Sequence, residues 1–396
     1  MAPVLGTTAS LYRACDPYGF AGLLSDGERT VLSRLREVLD RDVAPVVDDF
    51  WDRGEFPQQI REPLESLGLM DAPELGAEPT ALYEGFRSFE LARTDASTAV
   101  FYGAQAVLFR GAVRHGGSTE QVERLDADIR SWRTRGVLAI TEPEHGSDVA
   151  RGMATVAARE GEEWVLHGAK RWIGGAADAH YLTVVAREAE GGEARAFLVP
   201  TGAPGVRIEK IERKTSLRIV DNGHITLDGV RVPDADRLQR VESFRDVARM
   251  LRSMRADASF LATGVQAGAY EAALRYTAGR EQFGRSIAGF QLVQDKLATM
   301  LGNLTASLAM SVRLAQLRQA GQMRDEDAAL SKAWGARRMR ETVALAREVC
   351  GGNGITLDSG VARFFADAEA VYTFEGTDEI NQLVVGRAIT GIGAFV

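Results

Sequence analysis

The chain is short of the residues on which most metal and redox chemistry is built. It holds two cysteines, Cys15 and Cys350, among 396 residues. Two cysteines so far apart make no disulfide framework, and the expectation is a reducing compartment. The five histidines (His115, His145, His167, His180, His224) show no H-E-x-x-H spacing and there is no C-x-x-C, so no metal site is expected. No G-x-G-x-x-G follows a strand and no P-loop occurs, which argues against Rossmann binding and nucleotide hydrolysis. No apolar run reaches the ~18 residues of a membrane span. The start, MAPVLGTTASLYRAC, lacks the basic and apolar regions of a signal peptide. Positive charge is short too: 47 Lys and Arg against 55 Asp and Glu leave −8. That balance offers no electrostatic footprint for DNA or RNA, though a local basic patch still suits a small phosphate-bearing ligand. A soluble cytoplasmic protein is expected.

What is present is ordinary globular material, 45% hydrophobic and 26% charged, in a chain long enough for two or three domains. The first third reads helical. Ser25 and Glu28 form a capping-box pattern, and Val31, Leu32, Leu35, Val38 and Leu39 follow at helical spacing. A second helix ends near LESLGLM. A third covers TALYEGFRSFELARTDAS, and Gly116 and Gly117 later mark a break. The middle changes character. VLAITE, MATVAARE, EWVLHG, YLTVVARE, ARAFLVP, VRIEKIE and HITLDGVRVP are β-rich runs with no helical stretch between them, which suggests an antiparallel sandwich or barrel. Helix then returns. Val293, Leu297, Leu301, Leu304, Leu308 and Val312 form one apolar stripe, and a helix from about Asp325 to Cys350 stops at Gly351 and Gly352. The expected class is α+β: a helical domain over 1–133, a β domain over 134–240 and a helical bundle over 241–396.

Several motifs carry a dull reading beside a chemical one. TEPEHGSD brings His145, Ser147 and Asp148 together, but no G-x-S-x-G elbow accompanies them, and a polar loop after a strand is the plainer reading. The same loop, through Thr141, Gly146 and Ser147, also suits a polar, ring-shaped cofactor. Trp172 reads by pattern as a half-buried core tryptophan. Arg280 and Arg285 read as a charged helix end, or as a phosphate clamp. Gly354 is more than a helix cap needs and hints at a close backbone approach. VYTFEGTDEI packs Glu375, Asp378 and Glu379 together, and local pattern does not separate them.

Taken in order, LAITEPEHGSD, AKRWIGGAADA, GREQFGRSIAGFQ, CGGNG and FEGTDEI resemble the acyl-CoA dehydrogenase family of flavoproteins. The resemblance spans nearly the whole chain. EGTDEINQLVVGRAITGIGAF and KTSLRIVDNGHITLDGVRVP are similar to the glutaryl-CoA dehydrogenase branch, which also holds short-chain acyl-CoA oxidases. The resemblance implies that family's fold, with an N-terminal helical domain, a middle β-barrel and a C-terminal four-helix bundle. It implies a homotetramer, a dimer of dimers, with FAD in a groove between sheet and bundle. It assigns Leu138, Ile140, Thr141, Gly146 and Ser147 to the flavin lining, and Trp172, Ile173 and Gly174 to the flanks of its ring. Arg280, Gln282, Phe283, Gln291, Glu348, Gly351 and Gly352 would reach the adenosine diphosphate part of a neighbouring subunit's FAD, joined by Thr377, Glu379 and Phe395. Ser147, Arg255, Gly376 and Ala99 would meet the thioester substrate. Glu375 aligns with the catalytic base, which leaves Asp378 as a solvated acid. The implied reaction takes the α-proton to Glu375 and the β-hydrogen as hydride to flavin N5, giving a trans-2-enoyl thioester. An electron-transfer flavoprotein is the implied acceptor. A carboxylate desolvated beside Phe374 and a flavin is a stronger base.

Two departures shape the substrate expectation. Thr98 and Ala99 stand where the glutaryl branch has a Tyr-Arg pair, and Phe374 replaces a tyrosine. Without that cation a dicarboxylate tail is costly to desolvate. A short or branched neutral acyl chain, on CoA or an acyl-carrier protein, is expected. Gly174 stands where many family members offer a hydroxyl to flavin N5, and an oxidase using O2 is the runner-up. A glutaryl-CoA dehydrogenase and, from a different class, a catalytically silent CoA-binding oligomer complete the alternatives.

Overall fold

The computed structural model describes residue 12, residues 14–76 and residues 78–394. Among the described residues seven α-helices precede the sheet: α1 (Asp26–Val38), α2 (Val47–Arg53), α3 (Arg61–Glu65), α4 (Ala81–Thr94), α5 (Ala96–Gly103), α6 (Arg110–Gly116) and α7 (Thr119–Arg130). A single turn, α8 (Val149–Gly152), interrupts the sheet region that had been expected to be free of helix. After it come α9 (Phe244–Gly279), α10 (Gln291–Gln319), α11 (Asp325–Val349), α12 (Ala362–Thr373) and α13 (Asp378–Thr390). Backbone contacts divide the chain into two compact units. One holds the chain through Ala99, Thr215–Ile219 and everything from Arg255; the other holds Val100–Lys214 and Val220–Met254.

In the helical unit, α1 starts at the capping box expected from Ser25 and Glu28, with Ser25 N–H on Glu28 Oε2 at 2.8 Å. Helix α9 crosses α4 at bare backbone. A Cβ on Gly264 would lie 2.3 Å from the Phe89 carbonyl oxygen, and one on Gly268 2.2 Å from that of Arg93. On α10, Leu304, Leu308 and Val312 are buried, while Val293, Leu297 and Leu301 stay half-exposed. The expected stripe is therefore fully buried only over its second half. Arg363 on α12 is buried between Asp48 and Asp95, at 2.8 and 2.5 Å. Nearby, Asp367 Oδ1 accepts from Trp51 Nε1 at 2.8 Å and Leu217 N at 2.7 Å. That second bond explains why Thr215–Ile219, flanked in sequence by strands, belongs to the helical unit.

The other unit is built on seven strands, one for each β-rich run: β1 (Gly136–Ala139), β2 (Val156–Glu160), β3 (Glu163–Gly174), β4 (Tyr181–Glu188), β5 (Ala194–Pro200), β6 (Val206–Lys210) and β7 (Asn222–Pro233). Hairpins β2–β3, β4–β5 and β6–β7 and the pair β3–β7 are antiparallel. Strand β4 also runs parallel to β1 and β2 on its other edge, so the sheet is mixed where an antiparallel one was expected. The chain leaves β1 and returns to β4 only after the β2–β3 hairpin, which lets β4 lie beside β1 in the same direction. Ala139, Ala157, Leu166, Val184, Phe197, Val199, Ile225 and Val230 share one core under this sheet.

Candidate active site

Four residues, Phe374 to Thr377, connect α12 to α13 in the helical unit. Two successive residues there take left-handed backbone, Glu375 at φ 55° and Gly376 at φ 90°. Glycine does so freely; glutamate does so only where its surroundings impose it. The surroundings are specific. Lys332 on α11, 1% exposed, donates from Nζ to the carbonyls of Tyr372 at 2.7 Å and Gly376 at 2.9 Å. Asn381 Nδ2 donates to the same Gly376 carbonyl at 2.8 Å and to that of Thr377 at 3.0 Å. Thr377 caps α13, its hydroxyl oxygen accepting from Ile380 N at 3.3 Å.

The electrostatics separate the three carboxylates. Burial pushes the Glu375 carboxyl above the usual range, against the pull of Arg255 and Lys332, and Asp257 adds to the rise. Burial also drives the Lys332 ammonium down to about 8, against the attraction of Glu375 and Asp378. Asp378 is not the solvated acid expected. It is 5% exposed and takes Arg337 Nε at 3.0 Å and Nη2 at 2.5 Å. Its position in the first turn of α13 faces inward to α11, which the local sequence does not reveal. Glu379 is exposed.

Ala99 is 3% exposed. Its neighbour Thr98 is spent on structure, with backbone N and hydroxyl both bonded to Asp95 Oδ2, at 2.6 and 2.8 Å.

The flavin-lining candidates lie in the sheet unit. Leu138 and Ile140 are each 8% exposed, at and just beyond the end of β1. The Thr141 carbonyl accepts from Arg171 N at 2.8 Å. Beyond it the chain turns back, with Glu142 N donating to the His145 carbonyl at 2.9 Å, and leaves Gly146 and Ser147 exposed. The loop is anchored by Glu142, which accepts from Lys170 Nζ at 2.9 Å, Ala154 N at 2.6 Å and Thr155 N at 2.9 Å. His145 Nδ1 and Asp148 Oδ2 meet at 2.9 Å, a bond that does not include Ser147.

Trp172 departs from the core reading. A register shift between Lys170 and Ile173 bulges β3, Trp172 sits at φ 67°, and the residue is 52% exposed. A bulge re-aims a side chain that strict alternation would bury. Ile173 points inward at 5% exposure. Gly174 is paired to Asn222, and a Cβ there would lie 3.3 Å from Val220 Cγ1, so a serine or threonine needs Val220 to give way.

A third group gathers at the Gly279 end of α9. Arg280, Gln282 and Phe283 lie on a small hairpin, β8 (Glu281–Gln282) and β9 (Arg285–Ser286), whose turn residues Phe283 and Gly284 are both left-handed, at φ 54° and 78°. Gln291 opens α10. Lys296 on α10 pairs with Glu348 at 2.8 Å, and Asn353 bonds Tyr276 at 2.9 Å, which brings the Gly351–Gly352 turn to the same end. The close approach sensed at Gly354 is internal: a Cβ there would lie 2.1 Å from the Arg347 carbonyl oxygen. Phe395 lies outside the described residues.

Sequence reasoning missed Lys332, Asn381 and the Glu142–Lys170 pair. The sign for Lys332 was available: a lone lysine among small and apolar residues in AALSKAWGA.

Helices, sheet and helices in this order, with a half-buried glutamate in the turn between two helices, define the class of fold and site. Family models for the N-terminal, middle and C-terminal domains of acyl-CoA dehydrogenase match residues 25–131, 137–230 and 244–390. The chain belongs to the acyl-CoA dehydrogenase family, oxidoreductases acting on CH–CH bonds. A probable acyl-CoA dehydrogenase of Bacillus subtilis, YngJ, is 30% identical over 92% of this chain and 98% of its own. A glutaryl-CoA dehydrogenase of Mycobacterium smegmatis superposes with a TM-score of 0.90 at 36% identity, covering 97% of this chain and 99% of its own. A second from that organism, in complex with FADH2, gives 0.91 at 30%, covering 97% and 100%.

Proposed function

We propose that the protein abstracts an α-proton from a short or branched neutral acyl thioester through Glu375 and uses FAD to complete an α,β-dehydrogenation. The observation that carries this is Glu375 itself. Its left-handed backbone is imposed from α11 and α13, and burial raises its affinity for a proton while two cations keep the charged form accessible. A general base needs that balance. Arg255 draws the carboxylate toward its charged form and would offer its own charge to the thioester. Gly376 keeps the neighbouring backbone free of a side chain.

The residues present suit a flavin. Trp172 offers an exposed aromatic face, Gly174 adds no Cβ, and Gly146 and Ser147 leave backbone and hydroxyl accessible. Thr141, Leu138, Ile140 and Ile173 would complete that contact, with Arg280, Gln282, Phe283, Gln291, Glu348, Gly351, Gly352, Thr377 and Glu379 on the adenosine diphosphate part. When bound, the flavin supplies the acceptor for the β-hydride. A homotetramer accounts for the exposure of Phe283, Leu292, Ile355 and Ile389, each above 70%. An electron-transfer flavoprotein is the proposed electron partner. Domain limits at 133/134 and 240/241 are part of the same proposal.

Thr98 and Ala99 separate this chain from glutaryl-CoA. Thr98 is already bonded to Asp95 and Ala99 carries no charge, so neither position offers a far carboxylate a cation. A panel of acyl-CoA and acyl-carrier-protein thioesters with a dye acceptor tests the reading. Turnover is expected with short or branched neutral chains and not with glutaryl-CoA. No dye reduction by flavin-loaded protein with any member would contradict it. Gly174 favours one second reading, an oxidase, and stoichiometric peroxide per enoyl product would decide for it.

A further inference from the structure

We infer that Lys332 is the positioning residue of this site: its ammonium, shared between the carbonyls that bracket Glu375, sets the turn that presents the base. The inference rests on the proposed role of Glu375.

Lys332 binds the Tyr372 carbonyl in the last turn of α12 and the Gly376 carbonyl just past the base. A cation at a helix C-terminus meets unpaired carbonyls and the negative end of the helix dipole. With Asn381 on the same Gly376 oxygen, one carbonyl is held from two helices. Hydrogen bonding alone would not require a charge, and burying an ammonium is costly without a counter-charge. The carboxylates facing it are Glu375, Asp378 and Glu379, and Arg255 opposes it. Asp378 is already matched by Arg337, and Glu379 is exposed. Glu375 is the remaining half-buried carboxylate, itself pushed upward by burial, drawn downward by Arg255 and Lys332, and raised a little further by Asp257. Lys332 thus acts on catalysis through the position and charge of Glu375, without touching substrate.

The test compares flavin-loaded full-length wild type, Lys332→Met and Lys332→Gln, with Lys332→Arg as the charge-keeping control. Loss of the charge is expected to lower kcat by ~10-fold or more, because a small misplacement of a catalytic group is costly, while KM stays within a factor of about two. The acid limb of kcat/KM moves to higher pH. The carboxyl infrared titration of Glu375, read as the difference from Glu375→Gln, moves the same way without turnover. Lys332→Arg restores both pH readings. A folded Gln or Met variant with the wild-type acid limb and carboxyl titration overturns the inference, whatever it costs in stability. The Gln variant keeps a donor and serves if Met does not fold. Full activity in Glu375→Gln would instead sink the base itself; an inactive Glu375→Gln with unmoved Lys332 variants sinks only the role of Lys332.

Discussion

Lys170 in the sheet unit and Lys332 in the helical unit are both almost fully buried, and burial pushes each ammonium down to about 8. Their glutamates go opposite ways. Lys170 bonds Glu142 directly at 2.9 Å, two backbone N–H groups take further lone pairs, and the Glu142 carboxyl is held below its usual range despite burial. Lys332 donates to the carbonyls of Tyr372 and Gly376, and burial keeps the Glu375 carboxyl above its usual range. A completed pair is an inert anchor: it fixes the loop that carries Gly146 and Ser147. An incomplete pair leaves a carboxylate with unspent affinity for a proton, which is what the proposed base needs.

The contrast can be broken or sharpened by substitution. The largest effect on stability is expected at the completed pair. Lys170→Met strands a buried carboxylate and should cost about 3–5 kcal/mol in denaturant unfolding. Adding Glu142→Leu should recover much of that loss; no recovery would mean that the pair is not what fails. Next comes Arg337→Leu, which strands Asp378 and should cost about 1–3 kcal/mol by the same measurement. Glu375→Gln has the opposite sign. The folded Glu375 carboxyl titrates above its unfolded value, so through that window the folded state holds more protons and wild-type stability falls as pH rises. The Gln variant should therefore gain about 0.5–2 kcal/mol above the window and nothing below about pH 4, read as melting temperature against pH. The smallest effect belongs to an exposed pair of the sheet unit. Arg231→Ala, which releases Glu160 and Glu163, should leave the denaturant midpoint unchanged within error, because exposed ion pairs contribute little.

Much of the architecture is legible in residue pattern. Each β-rich run became a strand, and the Ser25–Glu28 box and the Gly351 stop fell where helices begin and end. Local pattern has a short reach, and that sets what it missed. The parallel pairing of β4 depends on where the chain returns after a hairpin. The Trp172 bulge depends on its register with β7. Asp378 looks like any surface acid until Arg337, 41 residues upstream, is folded against it. Leu217 is tied to Asp367 across 150 residues. Composition and spacing alone did not separate Glu375 from its neighbours; family resemblance singled it out, and its backbone geometry and electrostatics supply a physical reason.

The most direct measurement is anaerobic bleaching of the bound flavin by a neutral short-chain acyl-CoA, followed by stopped flow in wild type and Glu375→Gln. The account predicts rapid bleaching of wild type and a loss of roughly 100- to 10,000-fold in the variant with flavin still bound. Bleaching of the variant at the wild-type rate would remove Glu375 from the role of base.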